Sequence, residues 1–386
     1  MSRLTLALCL LTSAATAQVP TVSYSKPDAT FEEPFTSLRG VREMADGRVM
    51  VSDFRDKTVQ IIDLKTGTTV AVGREGRGPG EWSLPVALLP QPNGQTLLQD
   101  LGTMRYLMIG ADGKPIRAIS PPGPSGGQSQ GGISLGSMMI DLRGTDAQGR
   151  LYFQGSAISS GEAGPDSVPI LRWDLKERVD TAGWVPITSE GRPQITRTGN
   201  SMMVVRRGAN RAWPSQVQWA TASDGRVAMA HPVPYRVHWV GSMGTRVGAT
   251  VPYTPIKVTD AEKQAYRSAM AQFTPIMITM GGPGAGAGAR SNAARRPSED
   301  PEWPETMPPF TGRDAIMVTP EGEAWVRRTG KGAEPVPSYD VFDGAGTLVR
   351  QVTLRPRSRV VGFGNGTVYL VRLDEDDLQY LERYRR

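Results

Sequence analysis

The sequence has 386 residues, with 44 lysines and arginines against 38 aspartates and glutamates, and a formal net charge of +6. Its 44 glycines and 31 prolines indicate a turn-rich β protein and argue against a helical bundle or a coiled coil. A single cysteine excludes a disulfide framework and a cysteine-based zinc site. Two histidines leave few ligands for a histidine metal site and few bases for a serine nucleophile.

The first 17 residues have the order of charge, apolar run and small residues that is typical of a secretory signal peptide. Arg3 precedes an apolar run over residues 4–11, and residues 12–17 end in an Ala-Thr-Ala cleavage site. The apolar run is too short to cross a bilayer. We therefore predict cleavage before Gln18 and an exported protein, periplasmic or extracellular, without a transmembrane segment.

A repeated unit of about 45 residues occupies the rest of the chain. The clearest copy, residues 38–72, alternates apolar and polar residues between short glycine turns, the pattern of a four-stranded antiparallel meander. One sheet of this length cannot cover both of its faces, so the copies predict an all-β fold, a six-bladed β-propeller of four-stranded antiparallel blades. The alternative is a pair of β-sandwiches with long loops. The first turn of the copies reads Asp46-Gly47, Asn93-Gly94, Gln148-Gly149, Asp224-Gly225, Glu321-Gly322 and Asn365-Gly366.

The two ends of the chain are predicted to close the ring. The last copy, residues 359–384, stops one strand short of a complete blade. We expect an N-terminal strand around residues 19–25 to supply the missing strand. The predicted propeller domain is therefore residues 18–386, after a signal peptide over residues 1–17.

The longest insertion, residues 252–310, separates the fourth and fifth copies. Thr259 and Glu262 have the spacing of a capping box, and the apolar spacing after them predicts one helix near 259–273. Residues 280–301, rich in Gly, Ala, Arg and Pro, are expected to be disordered. The helix either packs on the propeller or forms a lid over the central pore.

Residues 73–85 read Gly-Arg-Glu-Gly-Arg-Gly-Pro-Gly-Glu-Trp-Ser-Leu-Pro and resemble the linker between blades of NHL-repeat propellers. Residues 53–59 and 100–106 resemble the order of Asp, polar loop, basic residue and strand in the same repeat. The chain is similar to exported bacterial six-bladed propellers of the NHL-repeat and TolB-like type. The resemblance is strong over residues 38–120 and implies the fold without implying an activity.

Arginines occur at the starts of the predicted inner strands and in the first linker. Inner strands of a propeller start at one face, so we expect these side chains to surround one mouth of the pore. A guanidinium suits bidentate contact with a carboxylate or a phosphate. Trp303, among the prolines of the insertion, is a further ligand-facing candidate. The predicted ligand-binding arginines are Arg39, Arg74, Arg77, Arg143, Arg313, Arg357 and Arg359, and the alternative is that they form structural ion pairs with Asp53, Asp56, Asp141 and Asp314.

Other polar residues point less clearly to a site. Asp53 and Asp100 end second strands, where an Asp more often accepts backbone N–H groups of a turn than a ligand. His231 and His238 are seven residues apart, which places them on opposite faces of a continuous strand and disfavours a shared metal.

These features predict a non-catalytic binding module with an arginine-rich pore face. Its partner is a protein segment, an acidic glycan or a small anion, and export disfavours nucleic acid. We expect a monomer without catalytic residues, cofactor or metal. The alternative is a propeller hydrolase or lyase of the lactonase or strictosidine-synthase-like kind, which needs a pore metal such as calcium or a histidine base.

Overall fold

The structure is a computed structural model that describes residues 19–122, 139, 142–155, 166–188, 193–198, 201–206, 211–272, 300–333 and 335–386. Six of its sheets are antiparallel meanders, which confirms the all-β, six-bladed propeller. The predicted signal peptide and residues 280–299 of the predicted disordered tract lie outside the described residues. Within those ranges no helix has the length and apolar character that crossing a bilayer requires.

Two short strands precede the first complete blade, and each later joins one of the last two blades: β1 (Thr21–Tyr24) and β2 (Ala29–Thr30). Blade one consists of β3 (Leu38–Glu43), β4 (Val49–Asp53), β5 (Thr58–Ile62) and β6 (Thr69–Ala71). The linker after it contains the parallel pair β7 (Arg74–Glu75) and β8 (Glu81–Trp82). Blade two consists of β9 (Pro85–Pro90), β10 (Thr96–Asp100), β11 (Arg105–Ile109) and β12 (Pro115–Ile119).

The next two blades are separated by a hairpin. Blade three consists of β13 (Leu142–Thr145), β14 (Leu151–Gln154), β15 (Ser167–Trp173) and β16 (Val179–Pro186). The hairpin contains β17 (Pro193–Thr198) and β18 (Ser201–Arg206). Blade four consists of β19 (Gln218–Thr221), β20 (Val227–Pro232), β21 (Tyr235–Gly241) and β22 (Gly244–Val247).

The insertion and the last two blades complete the ring. The insertion contains β23 (Ile256–Lys257), α1 (Asp260–Gln272) and β24 (Thr306–Met307), and β23 pairs with β24. Blade five contains β25 (Ile316–Val318), β26 (Ala324–Arg327), β27 (Ser338–Phe342) and β28 (Leu348–Leu354). Blade six contains β29 (Ser358–Gly364), β30 (Thr367–Leu373) and β31 (Gln379–Arg385).

The N-terminal segment closes the ring, but not with the strand that was predicted to complete blade six. β2 pairs antiparallel with β31 and completes blade six. β1, which covers the predicted segment, instead pairs parallel with β28 as a fifth strand of blade five. Burial of Tyr24 explains this placement, because its ring stacks on Trp325 of blade five at 6.3 Å and meets the edge of Tyr384 of blade six at 5.5 Å.

Neighbouring inner strands approach each other at glycines. A Cβ atom at Gly40 of β3 would lie 2.6 Å from the carbonyl oxygen of Val86 in β9. A Cβ atom at Gly362 of β29 would lie 3.0 Å from the carbonyl oxygen of Val41 in β3. Because backbone atoms fill these places, the two glycines permit the close spacing of the inner strands around the channel.

The helix of the insertion forms where the capping pattern predicts it. The backbone N–H of Thr259 donates to Oε2 of Glu262 at 3.2 Å, and the Thr259 hydroxyl contacts the same oxygen. These two hydrogen bonds, with the Thr259 hydroxyl as the larger cause, lower the pKa of Glu262. The capping box therefore begins α1 at the predicted position.

Candidate functional site

The structure distributes the predicted arginines over several places. Four of them lie at or just before the starts of inner strands: Arg39 in β3, Arg143 in β13, Arg313 before β25 and Arg359 in β29. Since all blades repeat one strand order, these starts open at the same end of the channel. We call this end the pore mouth.

The guanidinium of Arg359 lies at the junction of blades six and one. Its Nη2 donates to the carbonyl oxygen of Leu38 at 2.8 Å and to Oε1 of Gln379 at 3.4 Å. In the described part of the chain, its Nε and Nη1 have no hydrogen-bond partner, and no carboxylate lies within 4.0 Å. Burial, and after it the positive charge of Arg39, lower the pKa of Arg359 to about 10; Tyr339 and the carboxylate of Asp314 act in the opposite direction, and Arg327 contributes least.

Two further cations accompany Arg359. Arg39 is exposed and lies over the ring of Phe54 at 5.9 Å, and Arg327 is the last residue of β26. Neither has a carboxylate within 4.0 Å among the described residues. Arg39, Arg327 and Arg359 therefore form an arginine cluster whose positive charge is not balanced by a direct ion pair.

Arg327 and its neighbour Arg328 were not among the predicted site residues. Counted from the glycine of the first turn in each copy, they occupy the places of Ser52 and Asp53 in blade one. In blade one Asp53 is buried and accepts four backbone N–H groups, two through each carboxylate oxygen. At the place of Asp53, blade two also has an acid, Asp100, whereas blade five has Arg328 and blade six has Arg372.

A cavity of about 400 Å³ lies between the arginine cluster and the helix of the insertion. Arg327, Arg328 and Arg359 line one side of it. Helix α1 therefore does more than pack on the outside of the propeller, because it forms one wall of a cavity at the pore mouth. The residues of α1 in this wall are Glu262, Ala265, Tyr266 and Ala269.

Trp303 supports the cavity from behind. The centroid of its ring lies 5.9 Å from that of Trp213 and 5.6 Å from that of Tyr266. The rings of Trp213 and Tyr266 are 5.0 Å apart. Trp213 and Tyr266 line the cavity, whereas Trp303 is not among its lining residues. We refer to Trp213, Tyr266 and Trp303 as the aromatic cluster.

The other predicted arginines are engaged elsewhere. Nη1 of Arg143 donates to the carbonyl oxygen of Arg313 at 2.5 Å, and Nη2 of Arg313 donates to the carbonyl oxygen of Leu142 at 3.3 Å, which joins blades three and five. Arg357 forms an ion pair with Asp377. Arg74 pairs with Glu81 at 2.7 Å in the linker after blade one.

Arg77 belongs to a different region from the pore mouth. It lines a cavity of about 570 Å³ beside the outer strand of blade two, together with Arg105 and Arg117. The expectation that Arg74 and Arg77 gather with the pore-mouth arginines is therefore not met, because the linker contacts the third strand of blade one and the outer strand of blade two.

The two histidines lie side by side, so the prediction that they occupy opposite faces of one strand is wrong. The chain turns at Val233 and Pro234, which places His231 on β20 and His238 on β21 of one hairpin. Their ring centroids are 4.0 Å apart. Both Nε2 atoms are buried and have no hydrogen-bond partner within the described residues.

This histidine pair predicts a pH-dependent stability. Burial, and after it the charges of His238 and Arg236, lower the pKa of His231 to about 4, and burial followed by Arg236 also lowers the pKa of His238. The folded state thus favours the neutral rings, whereas in the unfolded chain histidine titrates near pH 6.5. Stability is therefore full above pH 6.5 and falls as the pH decreases towards the folded pKa, by at most about 1.4 kcal/mol per pH unit for each ring.

Urea denaturation between about pH 6.5 and pH 4.5 measures this effect, because most carboxylates titrate at lower pH. We expect His231→Gln to reduce the slope of unfolding free energy against pH, and the double replacement with His238→Gln to remove most of it. An unchanged slope in the double variant would contradict the assignment.

The side chains at the pore mouth do not suit a divalent cation. In the ranges that the structure describes, no group of three or more His, Cys, Asp or Glu side chains could hold a metal. The carboxylate oxygens of Asp53 and Asp100 accept hydrogen bonds from turn residues, and the arginine cluster is positive. The residues present therefore do not fit the pore metal that a propeller hydrolase of the alternative kind requires.

No protein-family model and no curated protein matches the chain. Among solved structures it is similar to a predicted exported protein from Bacteroides fragilis, with 10% identity over 95% of this chain and 99% of that one and a TM-score of 0.49. It is also similar to a gluconolactonase from Xanthomonas campestris (10% identity, 92% and 89% coverage, TM-score 0.41). A third similar structure is a calcium-binding regucalcin from Agrobacterium tumefaciens (11% identity, 96% and 98% coverage, TM-score 0.39). Similarity of this degree assigns neither a family nor an activity to the chain.

Proposed function

We propose that the chain is an exported, non-catalytic binding module that holds an anionic ligand at the arginine cluster. Export is supported by the signal-peptide pattern of residues 1–17, and the NHL-repeat and TolB-like type by the linker pattern of residues 73–85. N-terminal sequencing of the protein from its host tests export, with Gln18 as the expected first residue.

The observation that carries the proposal is the state of Arg359. A cation that is removed from water is unfavourable unless an anion or a set of acceptors replaces its hydration. Two acceptors bind Nη2 of Arg359, whereas Nε and Nη1 have no partner in the described chain and remain accessible to a ligand. Two further cations, Arg39 and Arg327, lie nearby, and the carboxylate of Asp314 offsets part of the positive charge. A bound carboxylate or phosphate would supply the missing negative charge and acceptor oxygens.

A purely structural role explains less of this arrangement. The contacts of Arg359 with Leu38 and Gln379 join blade six to blade one. They do not require Arg39 and Arg327 to add positive charge at the same place, because like charges destabilise one another. An anion site gives Arg327 and Arg359 a common partner, and Arg39 adds to the positive charge beside it.

Thermal unfolding in the presence of anions tests the proposal. At constant ionic strength, we expect at least one anion from a set of monocarboxylates, phosphate, a tricarboxylate and a glutamate-rich peptide to raise the melting temperature above its value in chloride, and a ligand at 100 times its Kd stabilises by about 2.7 kcal/mol. Arg359→Gln and Arg327→Gln should each lose most of this shift. The matched control is Arg385→Gln on outer strand β31, whose side chain is 86% exposed.

Two outcomes would count against anion binding at this site. One is that no anion raises the melting temperature of the unaltered protein. The other is that Arg385→Gln loses as much of the shift as Arg359→Gln, which would indicate a nonspecific effect of net charge.

A further inference from the structure

We infer that the ligand of this site is a small carboxylate with a flat aromatic body. The inference rests on the proposed function and narrows the anion to one chemical class. It follows from the juxtaposition, in a single cavity, of unpaired guanidinium groups on one side and an aromatic, largely apolar wall on the other.

The charged side provides room for about one carboxylate group. Three arginines line the cavity, but Arg328 already has an acid 3.8 Å away, Asp340. That carboxylate also accepts the Tyr235 hydroxyl at 2.7 Å and Nε2 of Gln351 at 2.9 Å, so it belongs to a buried structural network. Arg327 and Arg359 remain for the ligand, which is the arrangement for one two-oxygen anion and not for a polyanion.

The opposite side is suited to an apolar body. On the helix side, Trp213 and Tyr266 line the cavity together with Ala265, Ala269 and the single acid Glu262, whose Oε2 is taken up by the capping box. Further apolar lining comes from Met307, Pro335, Val336 and Pro337. A strongly hydrated ligand such as inorganic phosphate or a uronic acid chain would lose water against this wall without compensation. A flat ring would instead bury apolar surface and stack on the aromatic side chains.

The backbone of Trp213 supports the view that this ring position matters. Its φ is 48°, in the left-handed region that bulky residues rarely adopt. Such a conformation costs of order 1–3 kcal/mol and persists only where the surroundings impose it. Here the contacts with Tyr266 and Trp303 hold the indole at the cavity.

The wall is anchored to the rest of the insertion. Arg267 of α1 donates through two nitrogens to the carboxylate of Asp300, at 3.0 and 2.6 Å, and lies over the ring of Trp303 at 5.2 Å. Arg211 pairs with Glu302 at 2.8 Å, which connects the segment before blade four to the segment after α1. The cavity is thus built from three separated parts of the chain.

The volume of the cavity is that of a site for a small molecule. A volume of about 400 Å³ is at the lower end of the range of about 300–1,000 Å³ that is typical of sites for small molecules. It accommodates one or two fused rings with a carboxylate.

Isothermal titration calorimetry with a matched series tests the ligand class. The probes are inorganic phosphate, acetate, benzoate, 2-naphthoate and the neutral 2-naphthamide, at constant ionic strength. We expect affinity to rise from acetate to benzoate to naphthoate, by at least tenfold in total, and naphthamide to bind at least tenfold more weakly than naphthoate. Quenching of tryptophan fluorescence by naphthoate gives an independent readout near Trp213.

Variants of the lining residues test what each side of the cavity contributes to ligand binding. Tyr266→Ala should remove most of the preference for naphthoate over acetate, whereas Arg359→Gln should weaken both. If Tyr266→Ala fails to fold, Ala269→Trp provides a second test. Ala269 is an exposed residue of α1 that lines the cavity, so the larger side chain should block the binding of naphthoate. Met270→Ala, on the same helix and 49% exposed, is the matched control and should bind as the unaltered protein does.

The outcomes separate this inference from the proposed function. If phosphate or acetate binds and naphthoate binds no more tightly, the anion site stands and the aromatic ligand class is overturned. If naphthamide binds as tightly as naphthoate, the need for a carboxylate is overturned. If no anion binds at all, both the inference and the proposed function fail.

Discussion

Replacing Tyr24 by alanine is expected to lower the free energy of unfolding by about 3–5 kcal/mol, the range for deletion of a buried aromatic ring. Tyr24 is 7% exposed, and its ring contacts Trp325 of blade five and Tyr384 of blade six. The replacement leaves a cavity at the place where the two ends of the chain close the ring. Urea denaturation monitored by circular dichroism measures the shift of the midpoint.

Two controls make this result specific. Val22→Ala changes a residue of the same strand that is 38% exposed, so it should cost less than about 1 kcal/mol. Tyr24→Phe keeps the ring and should remain close to the unaltered protein. Equal losses for Tyr24→Ala and Val22→Ala would show that β1 contributes by strand pairing alone and that the ring contacts of Tyr24 add nothing.

Replacing Asp53 by alanine should destabilise the protein by about 3 kcal/mol, because four backbone N–H groups, one buried and three partly buried, lose their acceptor. Its Oδ2 accepts from the N–H groups of Thr36 and Ser37 at 2.8 and 2.9 Å, and its Oδ1 from those of Arg55 and Asp56 at 2.9 and 3.0 Å. These bonds hold the start of the inner strand against the end of the second strand in blade one. The shift of the urea midpoint gives the size of the loss.

Asp53→Asn and Asp56→Ala are the matched variants for this prediction. The amide keeps one acceptor oxygen, so Asp53→Asn should lie between alanine and the unaltered protein. Asp56 is exposed and accepts the Thr36 hydroxyl at 2.9 Å, so Asp56→Ala should change stability by no more than about 0.5 kcal/mol. A negligible loss for Asp53→Ala would mean that water replaces the carboxylate in the turn.

The sequence predicted the blades well because each blade is made by local contacts. Glycine at the first turn of every copy, such as Gly47 with φ 82° and Gly322 with φ 87°, allows the tight reversal between two alternating strands. The alternation then decides which side chains face the neighbouring blade. The capping box at Thr259 is local in the same sense, and it located the start of α1.

Features that depend on distant partners were predicted less well. The placement of β1 depends on the burial of Tyr24 against Trp325 of blade five and Tyr384 of blade six. No local sequence pattern predicts these two contacts. The turn at Val233 and Pro234 carries no glycine, so the sequence there is compatible with one continuous strand. The predicted placement of the two histidines on opposite faces was wrong because there are two strands.

The candidate site was predicted only in part for the same reason. Arg39 and Arg359 could be placed at the pore mouth from their positions at the starts of inner strands. Arg327 required the register within blade five, and the aromatic wall required Trp213, Tyr266 and Trp303 to meet from separate segments. Packing between segments far apart in sequence determines such a wall, and single-sequence periodicity does not report it.

The pairing of β1 with β28 and of β2 with β31 also determines the order in which the molecule can fold. During synthesis the first two strands emerge long before their partners, since Thr21 faces Gln351 and Ala29 faces Arg383. Bringing such distant residues together is slow, because the entropy of closing the loop is lost before the contacts form. Blades one to four can assemble while β1 and β2 are still unpaired. A nascent chain with such open strand edges is a substrate for chaperones until its last hairpin has formed.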